Sequence, residues 1–307
     1  MKHIKFLALS MMVLGSVACT EKVNLDDFED PTPTPVAGWS NVSETYSLPT
    51  HIKIFKNTTL GANKVTGFAA VVSPKATIAI YGDGLDANHK GTYLKKLSEV
   101  VKTDGKNDIV VVPGLAGYVQ NIHFGEVSYA RENAFPVIAK ENGKFFMAGQ
   151  KVAAKGSTDL IRTDLTGNTI KENWKPDFSF GGYYPIVKDG KAMDASAMSK
   201  IGNYSDNWWK GDACDARMAI GVDKSGNMVI FVNQPLEDGT QGLSMKELQE
   251  VLIGLNVVDG MTMEGSGSPD MRVKGEFTVH NKKLFKNGQP VGHENDAKPY
   301  EAAMGIK

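Results

Sequence analysis

Cysteine is nearly absent from this chain: Cys19 and Cys214 are the only two in 307 residues. Cys19 falls in a leader-like segment, so the body keeps one thiol and has no internal disulfide. An excess of either charge is missing too. The 34 Lys and Arg offset 35 Asp and Glu, so neither nucleic acid nor an anionic membrane surface is favoured as a partner. No basic run is interleaved with aromatics, which argues further against nucleic acid. His89, His123, His280 and His293 show no H-x-x-x-H, H-E-x-x-H or C-x-x-C spacing, so no dedicated zinc site is expected, while a divalent metal held by other ligands stays open. Asp83, Asp86 and Asn88 do not complete a calcium-loop pattern and read as a polar turn. G-x-S-x-G, Walker and dinucleotide fingerprints are also lacking, and no cofactor is predicted.

A long hydrophobic run is the last absence. Phe6 to Val13 is apolar but too short to span a bilayer as a stable helix. Lys2, His3 and Lys5 precede it, and Leu14-Gly15-Ser16-Val17-Ala18-Cys19 follows, which is the layout of an export leader. The small residues before Cys19 resemble a bacterial lipoprotein signal. Residues 1–18 are then the signal peptide and Cys19 the lipidated N-terminus. Ser16-Val17-Ala18 would serve an ordinary secretory cleavage as well. Thr20 to Pro35, TEKVNLDDFEDPTPTP, is acidic and then Pro/Thr-rich, with too little apolar content to pack. Residues 19–37 are therefore expected to be a flexible tether. The expected address is the cell envelope of a Gram-negative bacterium, on the periplasmic or surface face of the outer membrane, with the lipid anchor as the one membrane contact.

Residues 38–307 read mainly as strands. His51 to Phe55 alternates, and Lys64 to Val72, Ala76 to Tyr81 and Ile109 to Val112 are apolar or β-branched runs broken by turn residues. Thr92 to Lys102 has helical spacing. Phe135 to Gln150, FPVIAKENGKFFMAGQ, is two strands about an Asn-Gly turn. Ala216 to Val222 and Met228 to Val232 flank another polar turn, and Lys282 to Gly292 forms a last hairpin. Trp208 and Trp209, in a polar loop, are either a sugar-stacking platform or buried anchors. The pattern predicts an α+β fold: a mixed, mostly antiparallel sheet with packed helices, in a compact domain with room for two lobes.

Gly242 to Glu276 is the most informative stretch. Ser244 followed by Glu247 is a capping box, and Leu248, Val251, Leu252 and Leu255 recur on one helical face. Asn256 ends that helix. A strand from Met261 to Met263 then runs into Glu264-Gly265-Ser266-Gly267-Ser268, and a second strand, Met271 to Val273, leaves it. Glycines at alternate positions let backbone N–H groups approach a ligand with no Cβ in the way. A carboxylate and two hydroxyls sit among them, which makes this the leading candidate site.

These segments resemble the phosphodiester glycosidase family. Gly242-Leu243-Ser244-Met245-Lys246-Glu247-Leu248 is similar to its G-[LM]-T-L-x-E-L helix start. Met263 to Ser268 is similar to its N-L-D-G-G-G-S-S motif, with Glu264 for the family Asp and Ser266 for the middle Gly. Asn142-Gly143-Lys144-Phe145-Phe146 is similar to N-G-G-F-F, and Gly181-Gly182 to Lys191 to a G-G-G-P-x-L-V-x-x-G-K segment. Arg217 to Val232 is similar to R-T-A-I-G followed by an Asp-Gly turn and strand, with Asn233 where the family has Asp. The resemblance covers residues 130–307. It implies hydrolysis of a sugar-1-phosphodiester, with a carbohydrate or phosphoglycan as ligand. It implies Glu264 and Arg217 as catalytic residues, and Asn142, Phe146, Gly182, Gly265, Ser266, Gly267 and Ser268 as substrate contacts. The two substitutions in the glycine motif leave a second reading: a glycan-binding protein on the same scaffold with impaired catalysis.

The chemistry agrees with the residue types. Cleaving a glycosidic C–O bond needs a carboxylate as base or nucleophile and stabilisation of the leaving oxygen. A phosphate leaving group depends less on a proton donor and more on a cation, and the planar fork of an arginine holds two phosphate oxygens at once. Asp215, Asp223 and Asp270 are the candidates for a second carboxylate by their nearness to the motifs.

Overall fold

The strand Met218–Asp223 shows why this chain is built from sheets. Met218, Ile220 and Val222 enter one apolar cluster, while Ala219 enters another on the opposite face. Its hairpin partner Met228–Gln234 repeats the pattern, with Met228, Ile230 and Val232 on the first side and Val229 and Phe231 on the second. A strand buried on both faces reads as a near-continuous apolar run, which is the character of MAIGV and MVIFV.

The computed structural model describes residues 24–32, 36–81, 107–114, 122–124, 127–154, 157–202, 214–234, 242–263, 265, 269–279, 285–286, 289–290 and 302–307. Sheet I has eight strands, in the order Ser40–Asn41, Ile52–Leu60, Val65–Val72, Met228–Gln234, Met218–Asp223, Val257–Thr262, Pro185–Lys188 and Lys191–Ala192. Sheet II has seven, in the order Thr169–Trp174, Leu160–Thr163, Lys144–Val152, Phe135–Glu141, Phe178–Gly181, Ile122–Phe124 and Val127–Tyr129. Sheet III has five, in the order Glu276–Val279, Asp270–Val273, Ile109–Gly114, Ala302–Ile306 and Ile78–Tyr81. Phe285–Lys286 and Gln289–Pro290 form the expected last hairpin. Every pairing among these strands is antiparallel.

Sheet I is the middle layer. One face packs on the other two sheets, where Ile54, Ile220 and Ile230 meet Ile138 and Phe180 of sheet II and Ile109, Met271 and Met304 of sheet III. A smaller cluster, with Val137, Ala148, Leu160 and Trp174, lies on the far face of sheet II. The other face of sheet I is covered by a helix.

The architecture is mainly β, which corrects the expected α+β fold with packed helices. Among the described residues α-helix is confined to α1 (Ala195–Met198) and α2 (Met245–Gly254). Sheet faces bury one another here, so only one face needs a helix to cover it. The stretch Thr92 to Lys102 lies outside the described residues.

Helix α2 follows directly from its sequence. The Ser244 hydroxyl accepts the Glu247 N–H at 3.2 Å, and a Glu247 carboxylate oxygen accepts the Ser244 N–H at 2.8 Å. Burial works against the Glu247 carboxylate, but N–H donors from Ala62 and Ser244 and the Ser244 hydroxyl hold it below its usual range. Asn256 closes the helix in the left-handed region, at φ 62°. Leu248, Leu252 and Leu255 pack on Ala219, Val229 and Phe231 of sheet I. Leu248 is fully buried, so Leu248→Ala should cost about 2–5 kcal/mol through lost burial and a cavity. Urea unfolding of the full-length protein measures this, and a change below about 1 kcal/mol would contradict the packing described.

Part of the stretch expected as a tether lies on the sheets. Pro31 is buried, the Ser73 hydroxyl donates to the Glu29 carbonyl at 3.4 Å, and Lys75 pairs with Asp30 at 3.1 Å. Ser73 follows Val72, which pairs with Met228 at the start of its strand.

Candidate active site

The opposite end of sheet I gathers polar residues on the face that α2 covers. β alternation sets this. Met218 and Val232 point into the core shared with sheets II and III, so Arg217 and Asn233, each one residue away, point to the α2 side. Thr262 pairs with Ala219, which belongs to the α2 cluster, and Tyr184 packs in that cluster as well. On this face Asn233 and Arg217 lie side by side, and Thr262 and Tyr184 lie one step along, diagonal to Arg217.

Arg217 is 6% exposed and Asn233 is fully buried. The Arg217 N–H donates to Asn233 Oδ1 at 2.7 Å, and the Asn233 N–H donates to the Arg217 carbonyl at 3.0 Å. The Arg217 Nε–H donates to the Leu243 carbonyl at 3.0 Å. Leu243 and Asp215 exchange backbone hydrogen bonds at 2.8 and 3.1 Å, and Asn233 Nδ2 donates to the Asp215 carbonyl at 3.4 Å. The guanidinium is thus held at its Nε edge by the residues that lead into α2. Burial pulls its pKa down, while Asp215, Tyr184 and Cys214 nearby oppose that shift. An arginine stays protonated in such a setting, so the site carries a fixed, partly desolvated positive charge.

The glycine motif arrives beside this cation. Met263 donates its N–H to the Met218 carbonyl at 2.9 Å, which carries the Val257–Thr262 strand up to Arg217. A Cβ on Gly265 would lie 2.7 Å from the Ala216 carbonyl oxygen and 3.6 Å from Arg217 Nη1. Only glycine lets the backbone pass there without displacement. Glu264, Ser266, Gly267 and Ser268 lie outside the described residues, as do Trp208 and Trp209; the flanking Met263 and Gly265 are placed. Gly182 borders the other side. Its N–H donates to the Pro136 carbonyl at 2.9 Å, the next N–H, of Tyr183, donates to the Thr262 carbonyl at 2.9 Å, and a Cβ on Gly182 would fall 2.6 Å from that same Thr262 oxygen.

Two expected contacts are not brought here. Asn142 sits exposed at the tip of its hairpin, with Asn142 and Gly143 at φ 51° and 73°. The site end of that hairpin is Pro136, and Asn142 lies about 20 Å further along the strand at ~3.3 Å per residue. Phe146 points to the far face of sheet II, where the Arg162 guanidinium lies 4.3 Å from its ring centroid and Trp174 lies 6.1 Å away. The shared core separates it from Arg217. A plain Asn-Gly hairpin therefore accounts for that stretch. Of the candidate second carboxylates, Asp223 accepts N–H bonds from Ser225 and Asn227 in the turn at the other end of sheet I. Asp270 is buried on sheet III. Asp215 is the one the structure places at Arg217; its Oδ1 accepts the Ala216 N–H at 2.8 Å.

Sequence reasoning missed three parts of the site. Asn233 was visible as a position in the motif but not as the clamp on Arg217. The Leu243 carbonyl and Tyr184 carried no signal, because a backbone acceptor and an aromatic beside a strand look ordinary in any sequence. Among the described residues no group of three or more His, Cys, Asp or Glu side chains forms a metal site.

A profile of the phosphodiester glycosidase family matches residues 95–294, well over half of the chain. The chain belongs to the phosphodiester glycosidase family. The match begins upstream of residue 130, where the recognisable motifs start. No curated protein sequence matches this family member. Its fold is similar to the catalytic domain of zebrafish N-acetylglucosamine-1-phosphodiester alpha-N-acetylglucosaminidase, auto-inhibited by its pro-peptide, with a TM-score of 0.61 at 13% identity over 91% of this chain and 86% of that one. It is also similar to a hypothetical protein from Synechocystis, with a TM-score of 0.56 at 9% identity over 87% of this chain. This phosphodiester glycosidase family member spans 63% of the length of the Synechocystis protein. At such identities the likeness is one of fold.

Proposed function

We propose that this protein hydrolyses a sugar-1-phosphodiester at the glycosidic C–O bond, releasing the sugar and a phosphomonoester. The observation that carries this reading is the placement of Gly265, next in sequence to Glu264, against the buried Arg217 guanidinium. As the anomeric C–O bond breaks, the electron pair moves onto the phosphate oxygen, and Arg217 stabilises that developing charge. Glu264 is the carboxylate that acts on the anomeric side, as base toward water or as nucleophile. Asn233 and the Leu243 carbonyl hold the arginine in place, so its charge is positioned before the substrate arrives. The leader and Cys19 support an envelope location with a lipid anchor. The N-terminal segment docks near Ser73, at the end of sheet I about 20 Å from the site by strand length.

The substitutions Glu264 for Asp and Ser266 for Gly favour the second reading, a phosphoglycan-binding protein without turnover. The two readings separate on release of free sugar from N-acetylglucosamine-α-1-phospho-methyl diester by the full-length protein. Turnover establishes the hydrolase; binding of the diester without turnover establishes the binder. Absence of both removes the functional reading and leaves the fold and the family. Under the hydrolase reading, Gly265→Ala should lower kcat/KM on the order of 10²-fold, because its Cβ forces the glycine loop off the Ala216 carbonyl by roughly an ångström. An alanine variant as active as wild type would show that this close approach does not position the loop.

A further inference from the structure

Thr262 holds a buried hydroxyl that the fold does not use. Thr262 is 3% exposed. Its backbone is fully engaged, the N–H donating to the Tyr184 carbonyl at 3.0 Å and the carbonyl accepting the Tyr183 N–H at 2.9 Å. Its side-chain Oγ1, in contrast, is buried and makes no hydrogen bond among the described residues. Buried hydroxyls almost always find a partner, and one left without costs stability. A valine would fill the same volume without that cost.

Its position gives the hydroxyl a use. Thr262 pairs with Ala219, so its side chain lies on the same face as Arg217, and the two are diagonal neighbours about 7–8 Å apart at Cα. Tyr184 flanks it on the other side and is itself within electrostatic reach of the arginine. An anion or sugar oxygen held by Arg217 thus lies within reach of a donor that has no partner among the described residues.

We propose that the Thr262 hydroxyl is a substrate-binding group, donating to an oxygen of the phosphodiester or its sugar beside Arg217. This rests on the phosphodiester reading of the site. The hydroxyl is kept without a partner in the free protein so that the ligand oxygen completes it, and part of the binding energy comes from satisfying that donor.

The test compares full-length wild type, Thr262→Val and Thr262→Ser with the N-acetylglucosamine-α-1-phospho-methyl diester. KM and kcat are read where the protein turns over, and Kd by calorimetry where it only binds. The Tm of the ligand-free protein is measured alongside. Thr262→Val should raise the free-protein Tm, since it removes a buried unsatisfied group, and weaken the diester about tenfold, the worth of one hydrogen bond to a charged partner. Thr262→Ser should keep the affinity within about twofold of wild type. Stability and affinity moving in opposite directions is the signature, because a hydroxyl with a purely structural role would lower the Tm when removed. Wild-type affinity in Thr262→Val overturns the proposal and leaves the phosphodiester reading standing. Wild-type protein that neither binds nor turns over the diester overturns both.

Discussion

Arg217→Lys should lower kcat/KM for a sugar-1-phosphodiester by on the order of 10²–10³-fold, although it keeps the positive charge. Lysine carries one rotatable ammonium, so it gives up either the bond to the Leu243 carbonyl or the hold on the phosphate. Under the hydrolase reading arginine does both, because Nε bonds Leu243 while the rest of the guanidinium lies in the same rigid plane. Burial intensifies the effect, since Arg217 is 6% exposed and its charge is only weakly screened by solvent. Arg217→Met separates catalysis from folding. Methionine keeps the bulk of the side chain but leaves the Leu243 carbonyl without its Nε–H donor, so the variant should lose about 1–3 kcal/mol of stability in urea and still fold, while losing at least as much turnover as the lysine variant. Full activity in the lysine variant would show that charge alone suffices and that the fork has no part in the reaction.

Glu264→Gln should remove turnover by on the order of 10²–10⁴-fold while leaving the unfolding transition unchanged. Glutamine matches glutamate in shape and hydrogen-bonding length but neither accepts a proton nor attacks a carbon at neutral pH. The companion variant Glu264→Asp is the more informative of the two. The family motif has Asp there, one methylene shorter, and an ångström of misplacement is worth about 10²-fold. A gain in turnover on Glu264→Asp would show that the glutamate sits off the productive position. A loss would show that the Glu264 loop has adjusted to the longer side chain. Equal rates for Glu264→Gln and wild type would remove Glu264 from the mechanism.

The helix α2 was legible because its information is local. A capping box, four apolar residues at helical spacing and an αL-tolerant asparagine all lie within thirteen residues, 244–256, and each makes its own bond or contact there. The hairpins about Asn142-Gly143 and Asp223–Asn227 were legible for the same reason, since turn chemistry is set by adjacent residues. The glycine motif and Arg217 were legible as residue types, and the structure brings Gly265 and Arg217 together although they are far apart in the chain.

Fold class and site membership needed the tertiary structure. Apolar runs such as MVIFV state that a strand is buried on both faces but not whether helices or other sheets bury it. Here sheets II and III do so on one side, which makes the fold mainly β. Asn142 and Phe146 were assigned to the site by a short N-G-x-F-F string, yet pairing register sends one to a hairpin tip and the other to the outer face of sheet II. Asn233, Tyr184 and the Leu243 carbonyl joined the site for the converse reason. Local sequence alone determined the helix, the turns and the reactive residue types of this protein, because those depend on neighbours in the chain. Strand order and the parity of each side chain decided which residues share a face with Arg217, because in a sheet a shift of one residue moves a side chain to the opposite side.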